Sequence, residues 1–242
     1  MTKAKKFSHH TFLGRVSKRA LDIGVALFAL AITWPIFAFA LIGIKLTSPG
    51  PIFYHAIRAG KGNASFTMFK FRTMHVGSNR ESAVTVPGDH RVFGFGLLLR
   101  KIKIDELPQF WNILIGDMSL IGPRPEDPRI VARDYSEWMM ETLTIAPGVT
   151  SPGAVYGYIY GDALLDPEDP EGSYARKLLQ PKLALDRAYM DRATIISDIF
   201  YVLLTAYSIV AHASDREFPL PAEDIINAKK WAPQGPYPKS SR

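Results

Sequence analysis

The chain has 242 residues, 47% of them apolar and 21% charged, with a formal net charge of +6 and no cysteine. That balance suits one domain with a sizeable core plus appendages, and excludes both a disordered chain and a polytopic membrane protein. The missing thiols exclude disulfides, thiolate metal sites and cysteine nucleophiles together.

In chain order, residues 1–17 read as a basic flexible arm suited to anionic lipid headgroups. Residues Ile23 to Ile44 form a run of 22 without a charge, and at ~1.5 Å per residue a helix of that length reaches roughly 33 Å, enough for a bilayer. A cleaved signal peptide fits poorly, because its apolar region is usually shorter and Thr47-Ser48-Pro49-Gly50-Pro51 is no small-residue cleavage site. A simple span fits less well than a re-entrant one. Pro35 removes a backbone hydrogen bond mid-run. Both flanks are basic, with Lys3, Lys5, Lys6, Arg15, Lys18 and Arg19 before and Lys45, Arg58, Lys61, Lys70 and Arg72 after. The positive-inside rule draws both flanks to the cytoplasmic side. Residues 18–48 are therefore expected to bend near Trp34-Pro35 and return to the same face, with Thr33 helping to satisfy the backbone groups that the proline frees.

Residues 49–213 are expected to fold as the working domain. Their charge is segregated: Tyr54 to Ile104 holds nine Lys/Arg against Glu81 and Asp89, whereas Glu126 to Gly172 holds ten Asp/Glu against Arg129 and Arg133. One anion-handling face and one solvated acidic face explain this better than a uniformly basic nucleic-acid binder does. Stacking-aromatic motifs of nucleic-acid modules are also missing, so no nucleic acid is expected as partner. Phe69-Lys70-Phe71-Arg72-Thr73-Met74 alternates as a strand with its cations on one face, which suits either phosphate binding or a salt-bridged sheet surface. Arg100 follows the apolar run Phe93 to Leu99 and could pair with Asp105 or meet the same phosphate.

Pro108 opens, and Gly116 closes, a short apolar helix over Phe110 to Ile115. Asp105 and Glu106 then lie just before its N-terminus, a location that favours anions. Adjacent carboxylates diverge too far to straddle one glycosidic bond. One as nucleophile, the other as metal ligand or proton acceptor, is the easier assignment, although such a pair can also merely cap a helix. Arg124, braced between Pro123 and Pro125, presents a donor fork at low entropic cost. Cations around two acids are what phosphoryl chemistry needs, and the apolar run upstream points to a phosphate carried on a lipid. Thr194 to Ala211 reads as an amphipathic helix, on the core or at a membrane interface. The proline-containing tail, residues 214–242, is expected to be irregular.

These pieces in this order, from about Lys18 to Val210, resemble the bacterial monotopic phosphoglycosyl transferases. They are Lys18-Arg19 with Asp22, Ser48-Pro49-Gly50-Pro51-Ile52-Phe53 with Arg58, Phe69 to Met74, Asp89-His90-Arg91, Arg100, Asp105-Glu106-Leu107-Pro108-Gln109, Asn112, Gly116-Asp117-Met118-Ser119, Gly122-Pro123-Arg124-Pro125 and Pro147-Gly148-Val149-Thr150. The resemblance implies a small α/β domain on the cytoplasmic face of the bacterial inner membrane, with interfacial amphipathic helices and an N-terminal re-entrant helix hairpin. It implies transfer of a phosphosugar from a UDP-sugar to polyprenyl phosphate with release of UMP, as the first membrane step of glycan assembly. A covalent aspartyl intermediate and Mg²⁺ belong to that scheme, as do inner-membrane lipids as partners; a homodimer is left open. Carried over residue by residue, it makes Asp105 the nucleophile and Glu106 its partner, with both as metal ligands. Lys70, Arg72, Arg100 and Arg124 become phosphate-binding residues, and Asp198, which matches an acid in the last long helix, is grouped with them as substrate-binding. No large extra N-terminal membrane domain is expected. A membrane-surface headgroup-binding protein without turnover is the alternative. The chain departs from the common pattern at Phe93, at Lys103 and at Ser151-Pro152-Gly153-Ala154-Val155, which bears on the choice of sugar.

Overall fold

The computed structural model describes residues 11–78, 82–213 and 220–238. Its N-terminal element is α1 (Phe12–Thr47), 36 residues long, capped by Thr11, whose hydroxyl accepts from Gly14 N at 3.0 Å. Residues 12–17 of the expected flexible arm are therefore helical, while residues 1–10 of that arm lie outside the described residues. Among the described residues, α1 is the one helix long and apolar enough to cross a membrane. It continues through Pro35 as a single element, rather than as two legs joined by a turn. Thr33 Oγ1 donates to Ala29 O at 2.7 Å. That is a different carbonyl from the one proline frees, which belongs to Ala31 four residues before it; Thr33 thus adds the back-bond that bends helices.

Both ends of α1 dock on the same folded domain. Asp22 and Ala26 are buried near one end and Ala40 and Ile44 near the other, while Leu27, Phe28, Ile32, Trp34 and Ile36 between them are exposed. Ala26 belongs to a core with Ile113, Met118, Leu120, Ile121 and Tyr201. Ala40 and Ile44 pack with Phe71, Phe93 and Leu99. Gly43 makes the second docking possible, because a Cβ there would come 2.1 Å from the Phe95 ring.

The strands are few. β1 (Phe53–Ala59) and β2 (Ser65–Phe71) form an antiparallel ribbon with Phe53 opposite Phe71. β3 (Ser119–Ile121) and β4 (Gly148–Thr150) pair in parallel. The α/β expectation holds as a mixture of helix and sheet, in which helices predominate and each sheet has two strands. Between β2 and β3 come α2 (Gly94–Lys101) and α3 (Gln109–Ile115), the latter ending at Gly116 with φ 98°, a left-handed cap. After β3 follow α4 (Pro128–Asp134) and the single turn α5 (Glu137–Met140).

Beyond β4, α6 (Pro152–Leu164) packs on α8 (Gln180–Met190), which is reached through the turn α7 (Pro170–Ser173) and a π-helical segment over Tyr174–Leu179. A Cβ on Gly153 would lie 2.3 Å from Lys182 O, so glycine allows this close approach. α9 (Ile195–Ala213) is amphipathic in an inverted sense. Asp198, Tyr201 and Ser208 face inward, while Ile196, Ile199, Phe200, Leu203, Tyr207 and Val210 form an exposed apolar stripe.

The expectation of an irregular tail is corrected for residues 222–228, whereas residues 229–238 carry turns but no helix or strand. Pro221 opens α10 (Ala222–Ala228), Glu223 and Asp224 suit its first turn, and Leu220, Ile225, Ala228 and Ala232 enter the core around Tyr156 and Leu183. Prolines at the ends of a short apolar pattern delimit a helix there; they do not prevent one. Residues 214–219 and 239–242 of the tail lie outside the described residues.

Candidate active site

Asp105 and Glu106 occupy a 3₁₀ turn, Ile104–Glu106, entered through Lys103 in the left-handed region (φ 58°). A long side chain is uncommon at such a φ, which small polar residues meet more easily. The turn leads through Pro108 into α3, whose bounds match the sequence expectation to within one residue.

α3 is fixed from three sides. Arg19 of α1 donates through Nη1 to Ile113 O at 2.6 Å and through Nη2 to Leu114 O at 2.9 Å, satisfying carbonyls that a helix end leaves without partners. Asn112 accepts from Phe69 N at 2.9 Å and donates to Thr67 O at 2.7 Å, taking the place of a neighbouring strand along β2. Gln109, fully buried, accepts from Arg124 Nη1 at 3.1 Å. Through Asn112 the helix that follows the acids is tied to the strand that carries Lys70.

The result is a carboxylate surrounded by cations. Glu106 Oε1 lies 2.8 Å from Arg124 Nη2, 3.5 Å from Lys70 Nζ and 3.9 Å from Lys103 Nζ. Arg124 is itself held by its bond to Val149 O. Gly148 allows β4 to lie this close, since a Cβ there would come 2.1 Å from Gly122 N. Burial acts upward on the Glu106 carboxyl, but Arg124, Lys70 and Lys103 outweigh it and hold it well below the usual carboxylate range. Asp105 behaves oppositely. Burial pushes it up, the Glu106 charge adds to the push, and Lys70, Lys103 and Arg100 only partly offset them. Burial also lowers Lys70 to about 8, against the pull of Glu106. Two buried polar atoms here have no hydrogen-bond partner, Asp105 Oδ1 and Gln109 Nε2. Such atoms are costly unless something else engages them.

A cavity of about 870 Å³ opens beside this cluster, within the range that holds small-molecule ligands. Arg100, Lys101, Lys103, Glu106 and Arg124 border it on one side, and Val25 of α1 with Val202, Ala206 and Ile209 of α9 border another part. Asp105 and Lys70 are not among the residues that border it; Lys70 reaches Glu106 at 3.5 Å and Asp105 precedes Glu106 in the chain. Arg100 donates to Thr73 Oγ1 at 3.3 Å, so of its two expected roles a direct pair with Asp105 is not the one formed.

Two expected site residues lie elsewhere. Arg72 leaves β2 in another direction from Lys70, and its guanidinium donates to Pro51 O, Ser48 Oγ, Ser48 O and Met74 O. It pins the C-terminal cap of α1 to the ribbon, because four donors are spent on fixed acceptors and the strand alternation ends at Phe71. Asp198 is buried against Lys18 Nζ at 3.0 Å and accepts from Tyr189, which locks α9 to α1. Sequence reasoning passed over Gln109, Glu126, Tyr174 and Lys182 as site residues. The first stood inside the Asp-Glu-Leu-Pro-Gln stretch, with a spacing of four from Asp105 as its only signal.

Mg²⁺ is commonly held by one or two carboxylates, with phosphates and water completing the shell. Among the described residues no group of three or more acids or histidines could hold a metal. The unpartnered Asp105 Oδ1 beside Glu106 nonetheless fits the smaller protein contribution that magnesium takes.

Carboxylates and cations thus share a cavity with residues of α1 and α9, the two helices that expose apolar side chains. The chain belongs to the bacterial sugar transferase family, whose model matches residues 13–212. It is 42% identical over 201 residues to the exopolysaccharide production protein PSS of Rhizobium leguminosarum bv. phaseoli, covering 80% of this chain and 94% of that one. It is 35% identical over 199 residues to the UDP-glucose:undecaprenyl-phosphate glucose-1-phosphate transferase of Caulobacter vibrioides, covering 80% and 69%. With the UDP-N-acetylgalactosamine-undecaprenyl-phosphate N-acetylgalactosaminephosphotransferase of Aeromonas hydrophila the match is 42% over 145 residues, 58% of this chain but about a third (34%) of that protein's length.

Proposed function

We propose that this protein transfers a phosphosugar from a UDP-sugar to polyprenyl phosphate, releasing UMP and leaving a polyprenyl-diphosphate-linked sugar. The carrying observation is the single cavity bordered by Glu106, Arg124 and Arg100 on one side and by the apolar residues of α1 and α9 on another. A donor diphosphate and a lipid-borne phosphate could meet there without leaving the bilayer surface.

In this scheme a carboxylate oxygen of Asp105 attacks the sugar-bearing phosphorus, and the bond from that phosphorus to the bridging oxygen breaks as UMP leaves. A phosphate oxygen of the lipid then attacks the same phosphorus and releases Asp105. Arg124 and Lys70 hold the phosphate oxygens while charge develops on them. Glu106 holds Arg124, Lys70 and Lys103 together before substrate arrives, so little reorganisation is needed on binding. Asp105 and Glu106 would hold Mg²⁺, which supplies further neutralisation of the diphosphate.

The docking of both ends of α1 on one domain, with a bare apolar middle, supports a re-entrant helix with both flanks in the cytoplasm. The inverted α9, with its apolar stripe outward, supports a membrane face beside it. Together they favour the cytoplasmic side of the inner membrane as the location.

The purified protein should release UMP from a UDP-sugar only when polyprenyl phosphate is present for repeated turnover. With UDP-sugar alone, a phosphosugar adduct should appear on the peptide containing Asp105. Excess EDTA should stop turnover and Mg²⁺ restore it. Strictly sequential kinetics with no adduct by mass spectrometry would replace the covalent route by direct transfer. Single cysteines introduced at positions 5 and 61 should both resist an impermeant thiol reagent in intact cells and react once the cells are opened.

A further inference from the structure

One wall of the cavity carries a second polar group that the phosphoryl chemistry does not use. Glu126, Tyr174 and Lys182 all border the cavity. The Tyr174 hydroxyl donates to Glu126 Oε2, and Lys182 Nζ donates to the same hydroxyl at 2.7 Å while lying 3.8 Å from Glu126 Oε2. Lys182 also sits 4.8 Å from the centroid of the Tyr174 ring. The side chains of Lys182 and Glu126 remain 13% and 15% exposed, open to the cavity and otherwise enclosed.

The fold holds this trio rigid. Asp186, one turn along α8 from Lys182, accepts from Gly153 N at 2.8 Å at the start of α6, and a Cβ on Gly157 would come 3.3 Å from Lys182 Cδ. Glu126 is held through its backbone, with Ala59 N donating to Glu126 O at 2.9 Å. Its distance from the phosphate-handling groups is also set. Arg124 and Glu126 are two residues apart in the stretch after Gly122, interrupted by Pro125, and both border the cavity. A phosphate engaged by Arg124 would have its substituent in the same cavity that Glu126, Tyr174 and Lys182 border.

From this geometry we infer that Glu126, Tyr174 and Lys182 form the subsite that reads the hydroxyl groups of the donor hexose and so decides which sugar is accepted. The inference rests on the transferase reading above and names the part of the substrate that this wall meets. A sugar hydroxyl both donates and accepts. A carboxylate offers acceptors only, and a lysine ammonium offers three donors of which one is spent on Tyr174. Paired and rigid before binding, the trio requires a hydroxyl in one direction and leaves a buried group unmatched when the hydroxyl points in the other. The nucleotide moiety, by contrast, needs no contact with this wall.

The test is UMP release by the full-length protein with UDP-glucose, UDP-galactose, UDP-N-acetylglucosamine and UDP-N-acetylgalactosamine, each with polyprenyl phosphate. Glu126→Gln, Lys182→Met and Tyr174→Phe should each reduce the kcat/KM preference for the best donor over its C4 epimer by about tenfold or more. Inhibition by UMP should change less than about twofold. Tyr174→Phe keeps the ring and removes one hydroxyl, so it decides the matter should either charge variant fail to fold. A uniform loss across all four donors, with the ranking unchanged, would make the trio a structural brace and overturn the subsite. No UMP from wild type with any donor would sink the transferase reading and the subsite with it, whereas wild-type turnover with unaltered ranking in the variants sinks the subsite alone.

Discussion

Two clusters of buried charge in this molecule are built from the same residue types and finished differently. Beneath α1, Lys18 lies between Asp22 and Asp198 at 3.1 and 3.0 Å. Asp22 also accepts from Ser119 Oγ and Leu120 N, and Asp198 accepts from Tyr189. The cluster is closed by the chain's own groups. At the cavity, cations surround Glu106 in a similar way, yet Asp105 Oδ1 and Gln109 Nε2 are left without partners. A closed buried network holds elements together, whereas an open one retains unspent interaction for a ligand. That contrast separates Asp198, which sequence reasoning placed with the substrate, from Asp105.

The comparison predicts opposite phenotypes. Asp105→Asn should abolish UMP release while thermal stability and membrane binding stay at the wild-type level; substantial turnover by that variant would remove the nucleophile assignment. Lys18→Met should do the reverse. It leaves two buried carboxylates without their countercharge, at a cost of about 3–5 kcal/mol, so a marked fall in Tm is expected with activity per folded molecule largely retained.

Asp186 sharpens the comparison through pH. Burial raises its carboxyl to about 6 from 3.8, against the pull of its bonds to Ser151 and Gly153 and the charges of Lys182 and Arg124. Its contribution is full below the unfolded value and lost as pH climbs through about 6, an effect of up to about 3 kcal/mol for a shift of this size. Wild type should therefore lose stability relative to Asp186→Asn between pH 4 and 7. A constant difference over that range would remove Asp186 as the cause.

The smallest effects distinguish the two strand-end arginines and their neighbours. Arg124→Ala and Lys70→Ala should each lower kcat/KM at least tenfold, since a charge-assisted contact in the transition state is worth about 1.4 kcal/mol or more. Arg72→Ala, which breaks contacts to Ser48, Pro51 and Met74 and the stacking over the Phe93 ring, should act mainly on Tm. Loss of activity at unchanged Tm in that variant would return Arg72 to the site.

The features readable from residue order alone were local. Pro108 and Gly116 bounded α3 because one restricts the first turn and the other accepts the left-handed cap. An uncharged run marked α1, and adjacency in the chain placed Asp105 beside Glu106. The tertiary structure decided what long-range competition decides. Lys70 reaches Glu106 across 36 residues and Arg124 reaches it across 18, but Arg72, two residues past Lys70, finds four acceptors near Ser48 first. The apolar stripe of α9 was legible as periodicity, yet which face turns inward depended on Lys18 and Tyr189 being there to satisfy Asp198. A pattern of residue types fixes the shape of a segment through its own backbone and nearest neighbours. Which buried polar atoms find partners, and which are left open to a substrate, is settled only when distant segments pack.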